Sequence, residues 1–220
     1  MESASKAFHN FKQYNGKDYY CEPACAANTE INYYLHKNKK EKADKISKDI
    51  INSKITSYNY ETNALLRMKS NYMEYYILDG NYKKAAESAY ILEHSGSQAK
   101  EFKPWASFMC GYVHSRPSHS LRIYKKHWKE CHEEHNPGDR YDSFKYIACF
   151  FKGLWKEKST DTVKLMLDSS FPLYNKENIY NTRNMAEYYY KEAEEIAKKF
   201  DKRNGTDKYI KELEMSFANA

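Results

Sequence analysis

Tyr75-Tyr76-Ile77-Leu78-Asp79-Gly80-Asn81-Tyr82-Lys83-Lys84-Ala85 is the stretch that decides the fold class of this 220-residue chain. Upstream of it, Leu65, Met68, Tyr72, Tyr75, Tyr76 and Ile77 recur at helical spacing. Asp79-Gly80-Asn81 then breaks the helix, and Ala85, Ala89 and Leu92 continue on one face until Ser95-Gly96-Ser97 closes the unit. The pattern predicts a helical hairpin.

The same rhythm recurs three more times, from Asn32-Tyr33-Tyr34-Leu35 to Ala43, from Cys110-Gly111-Tyr112-Val113 to Ser120, and from Phe150-Phe151-Lys152-Gly153-Leu154-Trp155 to Val163. The residues that open the second stretch, at 43, 85, 120 and 163, lie 42, 35 and 43 residues apart. Recurrence on that scale predicts stacked hairpins, each burying its apolar face against the next. The first hairpin pairs residues 23–36 with 40–54, Pro23 sitting in an opening turn where its missing N–H costs nothing. The third runs from Pro104 to Glu134 around a turn at 114–118, and the fourth covers 141–170 with a break at 156–160. A short leading helix is expected within residues 1–20, a long helix over 181–200 with Met185, Tyr189, Ile196 and Phe200 near one stripe, and a last helix over 206–218. Strict period-two alternation is missing. The expectation is an all-α chain of about ten helices in a single domain spanning 1–220, with Asn136-Pro137-Gly138-Asp139 as a candidate subdomain boundary.

Composition limits the functional classes. Seven Gly and five Pro are too few for a sheet with many turns. A net charge of +6, with Lys and Arg interspersed among acids, does not demand nucleic acid. No apolar run reaches the roughly 20 residues that cross a bilayer, and Met1–Lys6 lacks the apolar core of a secretory signal, so the expectation is a cytoplasmic protein without a membrane partner. Cys21, Cys25, Cys110, Cys131 and Cys149 are odd in number and scattered, which suits free thiols. The 22 Tyr serve either half-wet helix interfaces or binding grooves, or reflect a composition bias shared with Lys, Asn and Ile.

In order and spacing, Tyr76, Gly80, Tyr82 and Ala85 resemble the aromatic, glycine, aromatic and small residues of the tetratricopeptide (TPR) repeat. Ala186 to Ala197 is similar to the second helix of such a repeat, whereas Lys39, Ser115 and Lys156 stand in the region where the other units would carry a turn glycine. Loose, Tyr-rich hairpins of this kind resemble the repeat domains of intracellular peptide-pheromone receptors of Gram-positive bacteria and their phages. That family often carries an N-terminal helix-turn-helix, and the 22 residues before Pro23 leave no room for one. The resemblance implies a right-handed superhelix and a non-enzymatic, cofactor-free module that binds a peptide or protein, as a regulatory receptor or as an inhibitor acting through protein contact. Its register puts Asn28 and Asn32 of the first unit, and Arg67, Ser70 and Glu74 of the second, on the ligand-facing side. Asparagine amides pair with an extended backbone, and Arg67 suits a carboxylate. Solvated polar residues on a helix surface account for the same pattern.

Two chemical alternatives compete. Arg122-Ile123-Tyr124-Lys125-Lys126-His127 resembles the Arg-x4-His motif of HEPN ribonucleases, in which Arg stabilises phosphate charge and His moves the proton, although Ile123 stands where a polar residue is usual. His127, Cys131 and His135 stack at i, i+4 and i+8 as metal-ligand candidates, but two turns separate the outer pair by about 12 Å, too far for one ion. The basic cluster Lys125–Lys129, with Tyr124 and Trp128, keeps RNA open as a partner. Trp105, Trp128 and Trp155 are expected in the core. Gly-rich phosphate loops and paired CxxC ligands are missing from the sequence.

Overall fold

The computed structural model describes residues 23–52, 61–95, 104–156, 162–164 and 179–220. Nine helices lie among them: α1 (Pro23–His36), α2 (Lys40–Ile51), α3 (Glu61–Leu78), α4 (Tyr82–Glu93), α5 (Trp105–Tyr112), α6 (Pro117–His132), α7 (Pro137–Lys156), α8 (Thr182–Asn204) and α9 (Lys208–Asn219). The fold is all-α, with one addition. Thr162–Lys164 (β1) and Ile179–Asn181 (β2) form an antiparallel ribbon with Val163 opposite Tyr180. The leading helix expected within residues 1–20 lies outside the described residues.

The expected turns form where their chemistry demands them. Gly80 takes φ +71°, a conformation open to glycine at little cost, and the Asn81 side chain accepts a hydrogen bond from the Lys84 amide to cap α4. Pro117 and Pro137 each open a helix, and the Asn136 side chain accepts from the Gly138 amide at 2.9 Å. Asn181 caps α8 through the Arg183 amide, and Gly205 ends that helix at φ +62°.

The fourth unit departs from expectation. Val163 lies in β1 instead of opening a helix, and the helix that pairs with α7 is α8, some twenty residues later. The β-branched residues of Thr162-Val163 and Ile179-Tyr180 favour extended backbone at this point.

Each helix packs on its neighbour in sequence within the pairs α1/α2, α3/α4, α5/α6 and α7/α8, while α1, α3, α5 and α7 also pack in succession. α3 serves two apolar clusters. Met68 and Tyr72 close one with Ala27, Ile31, Leu35, Ala43 and Ile50 of α1 and α2. Leu66, Met73 and Ile77 join a larger one that runs through α4 to α9. That larger core continues across 136–139, with Tyr124 on one side and Phe144 and Tyr189 on the other.

Helix α7 buries more residues than any other described helix, with Phe144 to Phe151 buried without a break. It meets α8 along Met185, Ala186, Tyr189, Ala193 and Ala197, whose small residues allow close approach; Ile196 and Phe200 flank that stripe half-buried. Of the tryptophans, Trp128 is buried, Trp105 is partly buried, and Trp155 is exposed beneath Arg183. Gly153 is a contact position: a Cβ there would stand 2.8 Å from Val113 Cγ1 and 2.9 Å from its Cγ2. Gly153→Ala is therefore expected to lower stability by about 1–3 kcal/mol, measured by urea denaturation, because neither α5 nor α7 has room to yield. A change below about 0.5 kcal/mol would show this packing to be looser than described.

Candidate functional site

α1, α3, α7, α8 and α9 converge on a polar cleft of about 430 Å³. Asn32 and His36 enter from α1, Glu74 from α3, Tyr141, Asp142, Lys145 and Tyr146 from α7, Arg203 from α8, and Lys208 and Glu212 from α9. The floor is Lys145, 1 % exposed, whose Nζ donates to Asp142 Oδ1 at 2.8 Å and to Glu212 Oε1 at 2.6 Å. Its ammonium lies 5.0 Å from the Tyr141 ring centroid and 4.6 Å from that of Tyr146. Burial alone would lower the Lys145 pKa, but Asp142, Tyr146 and Glu212 together hold it well above its usual value. Glu212 is held below the usual carboxylate range: burial opposes this, and Lys145 outweighs it.

Glu74 behaves in the opposite way. Burial, then the Asp142 carboxylate, push its carboxyl up to about 8; Glu212 adds to the rise and Lys145 opposes it. The cleft thus holds one buried cation, two carboxylates bound to it, a third carboxyl that is largely protonated at neutral pH, and Arg203 and Lys208 in its lining.

The sequence-derived candidates separate here. Asn32 and Glu74 both line the cleft. Asn28 and Ser70 are buried between helices, and the Asn28 carbonyl accepts from Asn71 across the α1/α3 contact at 3.2 Å. Arg67 is exposed, away from the cleft. Lys145, Asp142, Tyr141 and Glu212 went unrecognised, although a lysine inside Phe144-Lys145-Tyr146-Ile147-Ala148 is a signal: a charge in an apolar helical run must find a partner.

The alternative chemistries do not assemble. Arg122 is exposed and faces His119, its Nη2 3.4 Å from Nδ1, whereas His127 is buried and stacks on Trp105 at 3.6 Å with Nδ1 2.9 Å from Glu130. Five residues apart on one helix, the two side chains point about 140° apart. Cys131 is buried, and α6 ends at His132, so exposed His135 leaves the helical stack; among the described residues no three His, Cys, Asp or Glu gather as a metal site. Tyr124 is fully buried with its hydroxyl 2.8 Å from that of Tyr189, so it offers no stacking face beside the exposed Lys125, Lys126 and Lys129. Cys110, Cys131 and Cys149 are free and buried, and burial pushes the Cys131 thiol up to about 12, the reverse of an activated nucleophile. Among the described residues no helix is long and apolar enough to cross a membrane.

A larger groove of about 800 Å³ lies along α4 and the α5–α6 turn, lined by Tyr82, Tyr90, Ile91, Tyr112 and Arg116. It is open and mostly apolar, with Lys83, Glu87 and Arg116 as its charged members and no buried charge like Lys145 at its floor.

The Glu74 shift sets a pH dependence. Between its usual value of 4.5 and about 8 the folded protein holds a proton that the unfolded chain releases, so this group makes stability fall as pH rises through that window. His36, lowered chiefly by burial, acts in the opposite sense below its usual 6.5. The informative quantity is therefore the difference between wild type and Glu74→Gln. By urea denaturation, Glu74→Gln should gain stability relative to wild type between pH 5 and pH 8.5; a pH-independent difference contradicts the assignment.

No protein-family model, curated protein or solved structure matches the chain.

Proposed function

We propose that this chain is a non-enzymatic helical-repeat module, TPR-like in its stacking, that captures a peptide or protein segment in the cleft beside α1, α3 and α7. The observation that carries this reading is the convergence of polar groups from positions as remote as 32, 74, 142 and 212 on one cavity. Cavities that bind ligands combine an apolar frame with a few fixed polar groups, and Lys145 is held from both sides by carboxylates. Asn32 supplies both a donor and an acceptor for a backbone amide. The positive φ at Gly80 and the close packing of Ala85 against Gly111 are what TPR-like stacking needs at those positions, and so support it. The scattered placement of Arg122 and His127 gives the ribonuclease reading no comparable support.

A displayed random-peptide library panned against the full chain tests the proposal. Selected peptides should lose about tenfold or more in affinity for Asn32→Ala and for Glu74→Ala, read by fluorescence anisotropy, and should bind Arg67→Ala as they bind wild type. Failure to enrich any peptide, or enrichment of peptides indifferent to both cleft substitutions, removes the cleft as the binding site.

A further inference from the structure

We infer that α9 is a built-in occupant of the face formed by α3 and α7, and that the natural partner is an amphipathic helix bearing a carboxylate that replaces it over Lys145. This inference rests on the peptide- or protein-binding reading and specifies its ligand.

α9 joins its neighbours as a docked ligand helix does. Its N-terminal half meets α7 where the Tyr141 hydroxyl donates to the Tyr209 carbonyl at 2.8 Å, and Glu212 receives Lys145 one turn later. Further along, the Lys152 ammonium donates to the Phe217 carbonyl, and the Asn219 amide donates to the Leu78 carbonyl of α3 at 2.7 Å. The contacts advance together along both helices, so α9 runs in the same direction as α7, with its end resting on α3. An apolar stripe of Tyr209, Leu213 and Phe217 faces the protein, with Tyr209 against Phe200 and Phe217 against Tyr190 of α8, while Met215 stands half exposed. This is the helix-in-groove mode of recognition, performed within one chain.

Two features make the helix replaceable. First, its hold is shallow: Leu213 is its one large side chain buried outright, whereas α7 buries Phe144, Tyr146, Ile147, Phe150, Phe151 and Leu154. Second, it is joined at a defined pivot. Gly205 sits at φ +62°, and the Asp201 carboxylate accepts from Thr206 Oγ1 and from the Tyr209 and Ile210 amides, capping α9 from the end of α8. Lys145 fixes the chemistry of any replacement. With α9 lifted, its ammonium keeps Asp142, which is half exposed, and the protonated Glu74 carboxyl stands across the cleft, so an incoming helix that presents an acid where Glu212 now stands restores the lost pair.

The test uses the full chain and a labelled synthetic peptide of residues 206–220 as probe. Hydrogen exchange should find the amides of 211–219 exchanging at least tenfold faster than those of 188–198 in α8. Phe217→Ser, which loosens α9 without touching the cleft, should bind the probe at least tenfold more tightly than wild type does, and a probe carrying Glu212→Lys should bind neither. Equal protection of α9 and α8, or equal probe affinity of wild type and Phe217→Ser with both folded by circular dichroism, overturns the inference. Library peptides that depend on Asn32 and Glu74 would survive that outcome, leaving α9 as a fixed wall of the cleft; loss of those peptides alone strikes the function and not the mobility of α9.

Discussion

A buried ammonium governs this molecule. Lys145 sits in the middle of α7, within an unbroken buried run, and an unpaired charge there would cost several kcal/mol. Asp142, on the same helix, answers only part of that demand because it remains half exposed. The second carboxylate comes from Glu212, sixty-seven residues later, so the last helix must return to α7 for the core to be electrostatically closed. The contact of α9 with α3 and one wall of the polar cleft follow from that return, and Glu212 adds to the burial and the Asp142 charge that keep a proton on Glu74. Replacing Glu212 is tolerable only if another carboxylate takes its place, which is why the demand reads as a specificity rule for a partner as much as a stabilising contact.

The tyrosine content, odd as composition, has a mechanical explanation in the packing. Tyr72 donates to Asp44 of α2 at 2.6 Å, Tyr112 to Glu93 of α4 at 2.9 Å, and Tyr141 to the backbone of α9. Tyr189 meets both the Tyr124 hydroxyl and His132 Nε2, at 2.8 and 2.7 Å. Each ring fills space between helices while its hydroxyl binds a helix other than its own. A phenylalanine gives the first without the second, and polar cross-links of this kind fix which helix meets which in a way that apolar area alone does not. Burial and a carboxylate acceptor raise the Tyr72 and Tyr112 hydroxyls above their usual value, so they stay protonated as donors across the ordinary pH range.

How much of this was legible depended on whether a signal was local. Glycine at 80 and proline at 117 and 137 mark turns through backbone geometry that needs no tertiary context, and the helix boundaries stand at the expected breaks. The fourth hairpin departs from the pattern because Val163 continues a helical spacing by coincidence, while Thr162, Val163 and Ile179 suit a ribbon that only pairing with 179–181 makes stable. Asn32 and Glu74 were reachable from the register of a repeat. Glu212 is not, because it is unremarkable in its own helix; Lys145 stands out as a charge in an apolar run, but which carboxylate answers it shows only in the folded chain. Asn28 and Ser70 show the converse error: small polar residues at helical spacing sit as readily in a tight helix contact as in a groove.

The proton on Glu74 gives the cleft a property that its charge count conceals. A carboxyl raised to about 8 enters neutral solution mostly protonated, and so presents a hydrogen-bond donor beside an acceptor, as the Asn32 amide does. Two such groups, on α1 and α3, suit the amides and carbonyls left unpaired at the end of a docked helix. A cationic ligand group would instead favour loss of the proton, since an ammonium near Glu74 counters the burial and the repulsion from Asp142 and Glu212 that hold it on. The same residue thus serves a neutral backbone without ionising and a basic group by releasing one proton. Proton release on binding, measured as the dependence of calorimetric heat on buffer ionisation enthalpy, separates those two modes at a site whose geometry admits both.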